Sequence, residues 1–190
     1  MIQIKPSTKP AGIAYPIEEV KEYLRVTGTD QDKTISTLIS AAAEMIQRET
    51  AVVMLSRSFT GYLDNWSEVI NLRLYPVTAV GSVKYYDDNG TLQTVSASDY
   101  SLDINTIGPR IHMDTTPNLQ DDKLNAIEIA FTAGYADYRE VPEDYATLLM
   151  MLVEDMFYKR GTFTTGTVST RHASPHIRNM MLNLSKKTRG

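Results

Sequence analysis

The stretch from Ala126 to Arg160 constrains this chain most. An alternating strand ends in Phe131-Thr132-Ala133-Gly134-Tyr135, Val141-Pro142 follows, and a helix that is apolar almost all round comes next. Between Tyr145 and Val153 only Thr147 is polar, whereas a helix on the surface of a lone subunit keeps one solvated face. Such a helix must be covered on every side. The expectation is that sister copies supply part of the cover, through Tyr145, Leu148, Leu149, Leu152 and Met156.

With 190 residues, 42% of them hydrophobic, the chain can bury one core and still have length left for an insertion or arms. The absence of cysteine excludes a disulfide framework, a thiolate metal site and a cysteine nucleophile. No apolar run approaches the roughly 20 residues of a membrane span, and Met1 to Ala14 lacks the apolar stretch of a secretory signal. The expected setting is therefore the cytoplasm, without membrane contact. Net charge is −4, but residues 161–190 hold Arg171, Arg178, Lys186, Lys187 and Arg189 and no acid. That segment is +5 and leaves −9 on residues 1–160. A basic arm on an acidic body suits docking onto something negative, an acidic protein surface or nucleic acid.

Residues 1–15 show no periodicity and read as an N-terminal arm, ordered only by contact with something else. Pro16 opens a short helix with Ile17, Val20 and Leu24 on one face. After the Gly28-Thr29-Asp30 turn, a second helix over about 31–49 places Ile35, Leu38, Ile39, Ala42, Met45 and Ile46 at helical spacing. From Val52 the period becomes two, and about six short strands are expected across 52–135. Asn89-Gly90 marks a hairpin, because both residues accept positive φ. The apolar third helix, about 142–160, has Glu143 and Asp144 in its first turn and Lys159-Arg160-Gly161 at its end, in agreement with the helix dipole. Residues 162–170 have linker composition. Ser174-Pro175 then caps a short amphipathic helix of about ten residues with Ile177, Met180, Met181 and Leu184 on one face. The predicted fold class is α+β: a three-helix core with an inserted antiparallel β-sheet and extended terminal arms. Its divisions are 1–15, 16–160 and 161–190, the core helices lying in 16–50 and 142–160.

Residues able to carry chemistry are few and have local explanations. His172 and His176 are four apart, but Pro175 lies between them and no third ligand is near. His112 alternates with Ile111 and Met113 as a sheet residue facing solvent. Asp87-Asp88 and Asp121-Asp122 fall in loops, and Glu143-Asp144 opens a helix. Glycine-rich phosphate loops, nucleophile elbows and zinc-protease motifs are missing. Tyr62, Trp66, Tyr85, Tyr86, Tyr100 and Tyr135 lack the surrounding bases that a stacking platform for single strands needs, and read as packing residues. No catalysis, cofactor or metal is expected.

The ordered set Ile17-Glu18-Glu19-Val20-Lys21-Glu22-Tyr23-Leu24-Arg25-Val26, Ala41-Ala42-Ala43-Glu44, Leu74-Tyr75-Pro76-Val77 and Val83-Lys84-Tyr85-Tyr86-Asp87 continues into Phe131-Thr132-Ala133-Gly134-Tyr135, Val141-Pro142 and Phe157-Tyr158-Lys159-Arg160. Over about Pro16 to Arg160 this resembles the tailed-phage head-to-tail connector (adaptor) family, in the branch with a β insertion. The resemblance implies a structural virion protein of the phage neck, assembled in the host cytoplasm. It would form a ring, typically of twelve copies, beneath the portal protein and above a tail or tail-completion protein. Double-stranded DNA would pass through the channel without specific binding. It also implies that the C-terminal arm reaches the portal; from the arm's basic and amphipathic character, Arg171, His176, Ile177, Arg178, Met180, Met181 and Leu184 are the expected contact residues. The alternative is a nucleic-acid-binding accessory protein that uses the same basic arm.

Overall fold

The computed structural model of the chain describes residues 2–106, 108–159 and 174–189, which build two compact units. One comprises Met1–Ala11 and Ser56–Gly134, the other Gly12–Leu55 and Tyr135–Gly190. The chain is α+β, with the β segment inserted between helices.

The helical unit begins with α1 (Ile17–Leu24), whose Val20 and Leu24 are buried and whose Glu18 and Glu19 sit in the first turn. The helix stops at Arg25, in the left-handed region at φ 56, where the freed carbonyls of Glu22 and Lys21 accept from the N–H groups of Arg25 and Val26. Helix α2 (Asp32–Thr50) buries Ile35, Ile39, Ala42 and Ile46 as a single stripe. Each fully buried isoleucine in such a stripe contributes roughly 1.5–3 kcal/mol. The two helices are joined by Lys21, whose buried stem carries its ammonium to Asp32 Oδ1 at 3.0 Å and Glu18 Oε2 at 3.5 Å. Both helices match the expected spans to within a residue or two.

Helix α3 (Glu143–Tyr158) packs on α2, and α4 (Pro175–Arg189) packs on α2 and α3. Two sequence expectations change here. Tyr145, Leu148, Leu149 and Leu152 were assigned to contact between copies, yet all four are interior side chains of the subunit. Their cover comes from the chain's own helices, α4 included. Helix α4 is fifteen residues long, and its Ile177, Met181 and Leu184 are turned inward, each less than one-tenth exposed. The C-terminal segment is thus more than an arm awaiting a partner. A ten-residue helix would be marginal alone, and burial of this stripe gives α4 the tertiary support it needs.

The β unit holds eight described strands, against about six expected. A five-stranded sheet runs in the order β1 (Gln3–Pro6), β2 (Arg57–Leu63), β8 (Ile127–Ala133), β4 (Val77–Tyr86), β5 (Leu92–Thr94), every pair antiparallel. A three-stranded sheet runs β3 (Val69–Asn71), β7 (Arg110–Met113), β6 (Tyr100–Asp103). Alternate residues of β2 and β8 are buried in register, Phe59 opposite Phe131, Gly61 opposite Ile129 and Leu63 opposite Ile127. The rings of Phe59 and Phe131 stack at 5.7 Å.

The N-terminal residues correct a third expectation, since Gln3–Pro6 is ordered by its own chain as β1, along β2. Gly61 supplies the reason. A Cβ there would lie 2.5 Å from Ile2 Cδ1, so the missing side chain is the seat of Ile2, which is buried. Asn89-Gly90 does mark the β4–β5 hairpin, but only Gly90 takes positive φ, at 74°. Asp87 N–H donates to Thr91 O at 3.0 Å and Gly90 N–H to Asp87 O at 2.8 Å. The connection is a three-residue loop with glycine in its left-handed position. Asp87 fixes it further by accepting from the Asn89 and Thr91 N–H groups and from Gln93 Nε2.

Candidate functional site

Three surfaces are candidates for function, and each is set by a packing choice already made. The first is the outward part of α3. With five positions spent on the core, the half-exposed apolar side chains are Ala146, Met150, Met151, Met156 and Phe157, while Tyr158 is exposed. Of the residues assigned to a copy-to-copy contact, only Met156 remains within reach of a partner. Two hydroxyls hold aromatic rings in place between α1 and α3: Tyr158 OH donates to Leu24 O at 2.8 Å and Tyr23 OH to Glu154 Oε2 at 3.1 Å. Rings fixed this way present apolar area with little rotamer freedom left to lose. Burial and the Glu154 carboxylate raise the Tyr23 pKa.

The second surface is the outward side of α4. His176 and Arg178 are exposed and Met180 is half-exposed. Arg171 lies outside the described residues, as do His172 and the 162–170 linker. Ile177, Met181 and Leu184 do not share this surface, because they form the seam that holds α4 to the helical unit.

The third was not found from sequence. On the outer face of the five-stranded sheet, Gln3 and Lys5 of β1, Tyr62 of β2, Glu128 of β8 and Tyr86 of β4 line an open groove of about 520 Å³, walled by Lys123, Leu124 and Asn125. Lys123 Nζ stands 4.0 Å above the Tyr86 ring. Leu124 is 77% exposed, although its loop is pinned by Asn125 N–H donating to Asp64 Oδ1 at 2.8 Å. No local pattern announces this groove. Its residues come from four strands and a loop, and only the strand register brings them together.

The acid Asp87 and the histidine His112 have structural roles. Hydrogen bonds from Gln93, Thr91 and Asn89 hold the Asp87 carboxyl below its ordinary pKa of 3.8, so this acid locks a turn. His112 Nε2 lies 3.6 Å from Asp114 Oδ1 on the small sheet. Among the described residues, no group of three or more His, Cys, Asp or Glu side chains is arranged to hold a metal. Tyr138 OH donates to Glu19 Oε1 at 2.8 Å, and the Tyr15 ring meets that of Tyr138 edge-on at 5.2 Å. Burial followed by the nearby Glu19 charge raises the Tyr15 pKa; the hydrogen bond to Glu19 raises that of Tyr138. These groups staple the entry of α1 to the turn before α3. No described helix is long and apolar enough to cross a membrane.

These candidate surfaces sit on a fold seen before. One chain from the neck of an empty gene transfer agent particle computed with C6 symmetry matches at TM-score 0.78 and 23% identity, covering 96% of this chain and 94% of that one. A chain from the virion of the native gene transfer agent particle matches at 0.75 and 24%, covering 97% and 94%. Another, from the native neck computed with C12 symmetry, matches at 0.73 and 22%, covering 96% and 94%. No curated protein matches the sequence. Residues 15–186 match the family model of head completion proteins, a span that takes in α1 to α3, most of α4 and seven of the eight described strands. The chain belongs to the head completion protein family.

Proposed function

We infer that this protein is a structural component of the virion neck, which completes the head, joins it to the tail and leaves a passage for DNA. The observation that carries the reading is family membership across residues 15–186. The fold shared with neck chains of gene transfer agent particles supports the location, and the C6 and C12 symmetry of those necks supports a cyclic assembly. The role is structural rather than catalytic.

The finer assignments follow from the surfaces. Copies close into a ring, of twelve in the virion, because a repeated head-to-tail contact either closes or grows into a fibre. Met156, with Met150 and Phe157 beside it, is the part of α3 offered to the neighbour; sulfur-containing side chains adapt well to such contacts. The portal lies on one side and a tail or tail-completion protein on the other. His176, Arg178 and Met180 face the portal, and the basic charge of residues 161–190 favours an acidic portal surface. The excess of acid over base in the whole chain, −4, suits a wall past which duplex phosphates slide without being held.

Removing residues 162–190 would uncover the α2–α3 seam along with the arm, so the arm is tested by point changes. Arg178→Glu with Met180→Ser is expected to abolish co-sedimentation with portal particles while leaving the helical content intact. Undiminished co-sedimentation of that variant contradicts the arm's assignment. Heads made without the protein are expected to fill with DNA yet stay tailless, and normal tailed particles in its absence contradict the function itself.

A further inference from the structure

We propose that β5 of one subunit pairs in parallel with β1 of the next, so that the five-stranded sheet runs on from copy to copy around the ring. The proposal rests on the cyclic assembly inferred above and names the backbone contact that closes it.

The sheet has two edges, β1 and β5. Four successive antiparallel pairings leave these two strands running in the same direction, so translation around a ring can bring them together only as a parallel pair. Their backbone groups are complementary in that orientation. Ser7 N–H donates to Ser58 O, which turns the odd-numbered residues of β1 toward β2 and leaves Ile2 and Ile4 facing outward. On the other edge, Asp87 N–H donates to Thr91 O and Val95 N–H to Val83 O. Gln93 therefore faces β4, while Leu92 and Thr94 face outward.

With Ile4 set opposite Gln93, a parallel ladder forms without a misplaced group. Leu92 N–H meets Ile2 O, Ile4 N–H meets Leu92 O, and Thr94 N–H meets Ile4 O. The next donor would be the N–H of residue 6, and that residue is Pro6, so the ladder ends where β5 ends. The side chains agree with this register. Leu92, 41% exposed in the subunit, comes to lie opposite Gln3, at the groove where Tyr62 and Leu124 offer apolar surface. An exposed strand edge is otherwise an open template for indiscriminate pairing. A closed ring uses both edges and leaves neither free.

The chain has no cysteine, so introduced pairs report without background. Lys5→Cys with Thr94→Cys places thiols at directly opposed exposed positions of the proposed ladder. Within one subunit the same positions stand four strand spacings apart, roughly 19 Å, well beyond the roughly 7 Å limit for a disulfide. Oxidation of assembled necks carrying this pair is expected to give a ladder of covalent multimers on a denaturing gel. Lys5→Cys with Ser82→Cys, on the interior strand β4, is expected to give none. Necks that are present by electron microscopy but yield no multimers with the first pair, or equal multimers with both, overturn the pairing and leave the ring standing. A protein missing from the neck altogether overturns the ring and the pairing together.

Discussion

Ala51 ends α2 in the left-handed region at φ 63, where a Cβ crowds the carbonyl and glycine escapes the cost. Ala51→Gly should raise subunit stability by roughly 0.5 kcal/mol, the steric relief being partly offset by a more flexible unfolded chain. An unchanged or lowered urea midpoint contradicts that strain. Gly61 poses the reverse case, because its empty Cβ position seats Ile2. Gly61→Leu should undock β1, read as faster hydrogen exchange at Gln3 and Lys5, whose amides face β2, with β8 still protected; continued protection of β1 contradicts the seat. The phenols of Tyr15, Tyr23 and Tyr138 carry pKa values raised above the ordinary 10.0 in the folded chain. A raised folded value means the proton is held more tightly in the native state, so the stabilisation is complete below pH 10 and is lost as pH climbs beyond it. Unfolding midpoints of the helical unit should fall steeply above pH 10, and Glu19→Gln, which removes the charge beside Tyr15 and Tyr138, should flatten the fall. Identical profiles for the two proteins contradict this account.

Among the elements, α3 divides into a side that folds the subunit and an outward side that the proposed ring gives to a neighbour. Leu149→Ala should cost about 2–5 kcal/mol of subunit stability, as truncations of fully buried leucines do. Met156→Ala should cost the isolated subunit little and weaken the assembled ring; a large loss in the isolated subunit would place Met156 in the core instead. This division explains what the sequence could and could not disclose. The apolar circumference from Tyr145 to Val153 states that the helix is covered, but hydropathy does not identify the cover. Helix α4, fourteen undescribed residues further along the chain, supplies part of it through Ile177, Met181 and Leu184. Helices α1 and α2 were legible because periodicity and turn residues agree locally. Strand β1 was not legible, since Gln3–Pro6 contains lysine and proline and its placement is written in β2, at Gly61. In strand β4 the register shifts between Val77 and Ala79 and between Val80 and Ser82 break the alternation that marks a strand, so its first half carries no clear period of two. The groove was invisible for a similar reason, its residues being assembled by register from distant parts of the chain.

At the scale of the whole molecule, an acidic chain with no metal-holding cluster among its described residues folds two units from interleaved segments. Nearly its full length follows the head completion family. In the proposed assembly its function lies in surfaces that become complete only in company: the outward part of α3, the exposed side of α4 and the two edges of one sheet. The most direct test is electron cryo-microscopy of the neck of particles that carry this protein, reconstructed without imposed symmetry. The account predicts a closed cyclic layer directly beneath the portal, each repeat fitting one copy of this fold and enclosing a bore wide enough for duplex DNA. A neck without that density, or a single unrepeated copy in its place, would contradict it.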